Sequence, residues 1–421
     1  MTTAGPAEMI SPENCPSGLK GFRMSLLRQS VFTGAFVLLA APAFAQVSAD
    51  ELWKNWQAVS KDMGYELAAG DLTRSGDRLV AKDVTFNMVT EEMKVINRVP
   101  EMVLRETGGA VEVTASPEWL SESTVTVDGE TQSIATTLSQ TGYLMTVTGT
   151  AAEPVYKFKA DSMSFAQKIP LPAENAKAQG SVNTSGTLIA LDGGFTLTGS
   201  GDAQQMTYSF NAADMKIVLK AGGESADQRS SFTLDMKELT SDFQGNLPPK
   251  AAAESDLTSL LKTGLTGISN HKSGPVEFSV DVASPDMPFK GEGRFSSTAS
   301  SFGLSGSEIK LDLDLKGIQA GPAGDKPSAS DLILRGLAML NPSATDDTEV
   351  FKSGTLTVTI NESQALLDNL SATGLIPADQ MMGVQMMLAM FTKAGDTPGS
   401  ITSTVEVTET GDFLVNGQSM Q

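Results

Sequence analysis

The chain has one cysteine and one histidine in 421 residues. Cys15 precedes an apolar run of the export type, so the segment beyond that run has no disulfide, no cysteine nucleophile and no thiolate metal site. His271 stands in Ser269-Asn270-His271-Lys272-Ser273-Gly274, which reads as a polar surface loop. A zinc enzyme needs several His or Cys ligands, and a serine triad needs its serine on a tight elbow; no G-x-S-x-G occurs. Aromatic residues are few, at 6%, and the hydrophobic share of 40% is lean. A sheet with one wet face needs fewer apolar residues than a doubly covered one, so both figures fit that class. Positive charge is short as well: 30 Lys and Arg against 50 Asp and Glu give a net charge of −20. Nucleic acid and anionic membrane surfaces call for clustered cations, so neither is an expected partner, and the acidity serves solubility. Nothing after residue 45 is apolar for the ~20 residues that a membrane-spanning helix requires. No phosphate-binding glycine loop or dinucleotide fingerprint is present, and no cofactor is expected.

What the chain does have is alternation. Met206-Thr207-Tyr208-Ser209-Phe210, Met215-Lys216-Ile217-Val218-Leu219-Lys220 and Phe232-Thr233-Leu234-Asp235-Met236-Lys237 place apolar side chains at every second position. That period puts one set of side chains on a buried face and the other in water. The pattern returns at Val276–Val282, Ile309–Leu315, Leu356–Ile360, Val405–Val407 and Phe413–Val415. Asp128-Gly129 is a two-residue hairpin signal, and Asp192-Gly193-Gly194 reads as a tight turn between Leu188–Leu191 and Phe195–Leu197. After Met236 the phase slips, because Leu239 and Phe243 are odd-numbered; a bulge or break near Lys237-Glu238 would do this. The likeness of Ala212-Ala213-Asp214-Met215-Lys216 to Leu234-Asp235-Met236-Lys237 and to Ala160-Asp161-Ser162-Met163 suggests repeated hairpins or chance alternation, and no strict repeat period emerges.

At the start, residues 1–23 are polar, and Met24 is the better initiator. Arg23 and Arg28 lead into Val31–Ala41 and then Pro42-Ala43-Phe44-Ala45. A basic start, a short apolar core and an Ala-x-Ala exit predict a secretory signal peptide cleaved after Ala45. Residues 1–45 are thus read as leader and signal, and 46–421 as one elongated β-rich region or two related halves, 46–250 and 251–421. Gly245-Asn246-Leu247-Pro248-Pro249 and the run after it read as a linker.

Helices are predicted at Ser48–Met63, 255–263, 330–340 and from Pro377 to about Lys393, with Leu366–Ile376 helical or irregular. In the first, Ser48 and Glu51 form a capping box, and Leu52, Trp53, Trp56, Val59 and Met63 make an apolar stripe that packs on the protein's own sheet or, failing that, on a partner. The last carries Met381, Met382, Met386, Met387 and Met390 with Leu388 and Phe391. Such a helix packs in a core or, because methionines adapt to varied shapes, lines a groove for an acyl chain or partner.

Other constellations are weak. Ser259-Leu260-Leu261-Lys262 and Lys262-Thr263-Gly264 match the spacings of penicillin-interacting serine enzymes, but they share one lysine, and Ser181-Val182-Asn183 lies upstream. Asp312 and Asp314 alternate on a strand and Asp346-Asp347 lie in a loop; neither pair has the shaped loop that supplies calcium with ~6–8 oxygens. No catalytic and no metal residue is therefore assigned, and the ligand-binding residues are unknown.

Ala49-Asp50-Glu51-Leu52-Trp53-Lys54-Asn55-Trp56-Gln57, Gly64-Tyr65, Arg74-Ser75-Gly76-Asp77 leading into Leu79-Val80, and the closing Gly411-Asp412-Phe413-Leu414-Val415-Asn416-Gly417 resemble the secreted Gram-negative family of domain of unknown function 2125. The resemblance implies a periplasmic location and transfers no site residue. The expected fold is mainly β with minor α: a large elongated or curved antiparallel sheet, with a few helices covering the apolar face because a large bare one is unfavourable in water. The leading functional expectation is a non-enzymatic periplasmic envelope protein that binds a lipid, a polymer or a protein partner. The alternatives are a carboxylate-dependent hydrolase of an envelope polymer and a structural brace of an envelope assembly.

Overall fold

The computed structural model describes residues 47–421 apart from 63, 90–92, 128–129, 152, 171–179, 200–203, 223–228, 247–263, 284–288, 322–327, 342, 345–349, 373–375, 378 and 421. The leader and signal, the 255–263 helix and most of the linker expected after Gly245 lie outside these residues.

The chain opens with α1 (Ala49–Asp62) and then runs almost wholly in strands. These are β1 (Tyr65–Ala68), β2 (Asp71–Ser75), β3 (Arg78–Val89), β4 (Met93–Glu106), β5 (Val111–Ala115), β6 (Glu118–Val127), β7 (Glu130–Thr141), β8 (Leu144–Gly149), β9 (Pro154–Pro170), β10 (Ser181–Thr198), β11 (Gln205–Gly222) and β12 (Arg229–Asn246). They continue as β13 (Thr266–Ser273), β14 (Val276–Ala283), β15 (Phe289–Phe295), β16 (Ser297–Ser305), β17 (Glu308–Gly321), β18 (Ser330–Leu340) and β19 (Phe351–Asn361). After α2 (Ser363–Ala372) and α3 (Met381–Phe391) come β20 (Lys393–Ala394), β21 (Ile401–Val407), β22 (Phe413–Val415) and β23 (Gln418–Ser419). All belong to one antiparallel sheet, as the alternation predicts. Among the described residues no ladder joins β1 or β2 to β22 or β23.

The sheet forks twice in the same way. One part of β4 pairs with β5 and another with β6; these pair with β8 and β7, and both rejoin on β9. Likewise β12 pairs with β13 and β14, these pair with β16 and β15, and both rejoin on β17. The forks open at Ser116-Pro117 and Gly274-Pro275, where proline cannot donate to a ladder. In each, the residue before proline still donates to the long strand: Ser116 N to the Glu101 carbonyl and Gly274 N to that of Lys237, both at 2.9 Å. The chain repeats in topology without repeating in sequence.

The phase slip near Lys237-Glu238 belongs to a line across four strands. On one side of it Ser162, Ile189, Asp214 and Lys237 are in register; on the other Ala160, Leu191, Ala212 and Leu239 are. The row between them, Asp161, Ala190, Ala213 and Glu238, is unpaired, and Ala190 and Glu238 have φ of 50° and 53°. Each strand thus carries one extra residue at the same place, a bulge shared in register. Met163 and Leu188 pack against buried Ala160, Leu191 and Ala212, so the same face continues with its parity changed. The two Asp-Met-Lys segments meet here. Met215 faces Met236 and Asp214 faces Lys237 across the antiparallel pair, and the Lys237 ammonium lies 2.5 Å from Asp214 and 2.8 Å from Asp235. Hydrogen bonds to Asp214 and then Asp235 raise the Lys237 pKa above its ordinary value.

Several expectations are corrected. The helix expected at 330–340 is strand β18, laddered by β17 and β19. Its sequence carries leucines at both parities, so periodicity alone could not decide, and pairing on both sides did. Asp192-Gly193-Gly194 is no turn but the interior of β10. A Cβ on Gly193 would come within 2.6 Å of the Phe158 ring and 2.4 Å of the Ser209 carbonyl; the glycine makes room for a cross-strand aromatic. The last helix begins at Met381, not at Pro377, whose carbonyl accepts from Gln380 N at 2.9 Å.

The N-terminal end holds the main core. Leu52, Trp53, Trp56 and Val59 of α1 are buried with Leu79, Val84, Leu104, Val111, Val147 and Tyr156. The capping box forms: Glu51 N donates to Ser48 Oγ at 3.3 Å and Ser48 N to Glu51 Oε2 at 3.1 Å. Arg74 on β2 ties the helix start down, donating to Asp50 at 2.9 Å and to both oxygens of Glu106 at 3.0 and 2.9 Å. Glu106 also accepts from Ala49 N at 2.8 Å.

Candidate functional site

Side chains directly opposite one another in an antiparallel sheet share a face, so the register assigns every paired residue from β9 to β22 to one of two faces. One row runs Tyr156, Phe195, Tyr208, Phe243, Ser269, Phe302, Leu311, Gly336, Leu356, Val405, Val415. Rows beside it hold Phe158, Phe210, Leu313, Leu334 and Val358, and then Leu315, Leu332, Ile360 and Ile401. Beyond the bulge line the same face carries Met163, Leu188, Met215, Met236, Val276 and Phe295, then Phe165, Ile217, Leu234 and Phe278.

No paired position on this face from β9 to β22 is Asp, Glu, Lys or Arg. The charges stand on the opposite face, where they pair: Arg335 with Asp314 at 2.5 Å and Asp312 at 3.6 Å, Lys310 with Asp312 at 3.4 Å, and Lys290 with Asp281 at 3.3 Å. The first long row crosses eleven strands, which at ~4.8 Å spacing is roughly 48 Å.

The face is closed at its start, buried again at Val276, Leu304 and Val415, and half-buried to exposed between them. Tyr156 is buried in the core and stacked on Phe195, with ring centroids 4.2 Å apart. Farther along, Phe302, Leu311 and Leu356 are 45%, 41% and 40% exposed, and their neighbours are mostly half-buried. α2 packs on β17 and β18, where its Asn369 donates to the Ser328 carbonyl at 2.9 Å. α3 buries no residue. The expectation that the methionine helix packs in a core is thus corrected: Met382, Met386, Met387 and Met390 are all exposed.

One strip of the face is polar. Ser241, His271 and Ser300 are opposite one another on β12, β13 and β16. Ser269 Oγ lies 2.9 Å from His271 Nε2, and Ser273 Oγ lies 2.7 Å from Thr298 Oγ1. His271 is therefore a strand residue on the uncharged face, not a loop residue; Ser269 and Ser273 share its face, and Asn270 and Lys272 stand on the opposite one.

Other residues singled out in the sequence are not brought together. Asp312 and Asp314 meet Arg335 on the charged face. At the start of β10, Asn183 Nδ2 donates to Ser181 Oγ at 3.3 Å. Ser259, Lys262, Asp346 and Asp347 lie outside the described residues, as does Cys15. Among the described residues no three His, Cys, Asp or Glu side chains form a metal-ligand cluster, and no helix is long and apolar enough to cross a membrane. Set against protein families, curated proteins and solved structures, the chain finds no match.

Proposed function

We propose that this chain is a non-enzymatic lipid-binding protein of the bacterial envelope, which holds acyl chains along the uncharged face of β9–β22. The observation that carries the reading is the sorting of charge: eleven strands present one face without a single Asp, Glu, Lys or Arg at a paired position, and on it Phe302, Leu311 and Leu356 are exposed while most of their neighbours are half-buried. Apolar surface left in reach of solvent on this scale marks a binding surface. A partner protein of ordinary size covers ~800 Å² and meets a polar rim, whereas this face stays uncharged over its whole length. The export signal read at residues 24–45 and the resemblance to periplasmic proteins support a site of action outside the inner membrane. The carboxylate-hydrolase reading is less favoured, since Asp312 and Asp314 are engaged by Arg335.

The test is to purify the protein from the periplasm without detergent, extract it and identify lipids by mass spectrometry. Co-purifying lipid is expected, together with uptake of a fluorescent fatty acid. Leu313→Asp or Ile217→Asp, each placing a charge on the face, should lower that uptake at least tenfold with an unchanged circular dichroism spectrum. Wild-type protein free of lipid and unable to take up the fatty acid would leave the brace reading in its place.

A further inference from the structure

The methionine helix has a composition that the interior of the protein does not explain. Met381, Val384, Leu388 and Phe391 form its half-buried side. The outer side carries Met382, Met386, Met387 and Met390, exposed by 74%, 61%, 54% and 73%. A surface helix of a globular protein turns polar residues outward. Here Gln385 is the one strongly polar side chain in the helix, and no residue from Met381 to Phe391 is charged.

Eleven residues make a helix of about 16 Å, too short to cross a bilayer. Apolar segments of ~10–14 residues are core helices or interfacial and re-entrant segments. α3 buries no residue, which leaves the membrane interface. Two carbonyls of its last turn have partners. Thr392 Oγ1 and N donate to the Leu388 carbonyl at 2.6 and 2.9 Å, and Asn416 Nδ2 donates to the Phe391 carbonyl at 2.9 Å. Carbonyls without intrahelical partners are costly in a lipid environment, and the Asn416 bond removes that cost for Phe391.

The helix is continuous with the uncharged face. It leads into β20, whose Ala394 pairs with Ile401, and Ile401 ends the row Leu315, Leu332, Ile360. We propose that α3 inserts its methionine side into the surface of a bilayer and so brings the C-terminal end of the uncharged face against membrane lipid. This rests on the lipid-binding reading only for what the contact delivers. The docking itself stands on the helix. The occupant is a lipid surface because the exposed side offers four methionines and no charge, which need no shaped or charged counterpart, and thioether chains adapt to a fluid interior. Electrostatics has no part in it, since the chain carries a net charge of −20 and the helix carries none.

Flotation of the purified protein with neutral phosphatidylcholine vesicles tests this. The wild type should float with the vesicles equally at low and high salt. The triple variant M382E/M386E/M390E should lose at least tenfold in the floated fraction while still taking up monomeric fluorescent fatty acid. Leu313→Asp should do the reverse, floating normally with fatty-acid uptake lost. Since α3 has no buried residue, the triple variant should keep the wild-type melting curve. A triple variant that floats as well as the wild type, or a wild type that does not float, would overturn the proposal. So would sedimentation velocity showing that the variant loses self-association instead, which would make α3 a contact between copies. Flotation without fatty-acid uptake would leave the docking standing and remove the uncharged-face reading alone.

Discussion

Two regions of the sheet, β3–β8 and β13–β19, are built from the same alternation and treated in opposite ways. At the N-terminal end Leu79, Leu104, Val111, Val113 and Val147 are buried beneath or beside α1. From β13 to β19 the corresponding rows, with Phe302, Leu311 and Leu356, stay in reach of solvent. Burial of a leucine stabilises by ~1.5–3 kcal/mol only where something covers it. The covered end therefore serves as the stability core, and the open stretch is free to serve binding. The difference lies in what sits on top, not in the strands.

The sharpest test of that contrast compares one residue type at its two ends. Leu104→Ala should cost ~2–5 kcal/mol in chemical denaturation, the range for a fully buried leucine. Leu311→Ala should stay within ~1 kcal/mol while lowering fatty-acid uptake. Equal losses at both sites would show that the open stretch is packed like a core.

A smaller effect is expected between them, where aromatic side chains cross glycines. Gly193→Ala should cost ~1–3 kcal/mol because its methyl group meets the Phe158 ring and the Ser209 carbonyl. Gly303→Ala, with its nearest neighbour at 3.9 Å, should be close to neutral. Thermal denaturation of the two variants side by side decides this.

The least effect should come from the tie at the start of α1. The Arg74 guanidinium, followed by the Ala49 N–H, lowers the Glu106 pKa below the ordinary carboxylate value. A carboxylate with a depressed folded pKa adds stability that is complete above the unfolded value of about 4.5 and is lost as pH falls through the folded one. Glu106→Gln should therefore weaken the protein slightly at pH 7 and flatten its acid loss below about pH 4.5, as read from melting midpoints between pH 3 and 7. An unchanged acid slope would show that the Arg74–Glu106 pair contributes nothing to holding α1.

Much of the architecture was legible because period-two alternation is local. The strands of Met206–Phe210, Val276–Val282 and Ile309–Leu315 and the capping box at Ser48-Glu51 all appear where the pattern puts them. The failures share one cause. Leu332–Leu340 has apolar residues at both parities, and only its two neighbours make it a strand. Gly193-Gly194 looks like a turn until Phe158 is seen across the ladder. His271 looks like a loop residue because β13 puts serines on both sides of it. The charge sorting was within reach: Lys310, Asp312, Asp314 and Lys316 share one parity in β17. Reading it across strands required the bulge line, since Asp235 and Asp242 of β12 lie on the same face with opposite parity.

The sequence by itself determined that strands would form and that each would carry an apolar and a polar side, because side-chain direction along a strand follows from the backbone alone. Only the tertiary structure decided which rows meet across strands, where one shared extra residue shifts their phase, and which apolar stretch receives a helix while another does not. Those outcomes depend on contacts between residues distant in the chain, and no local pattern encodes them.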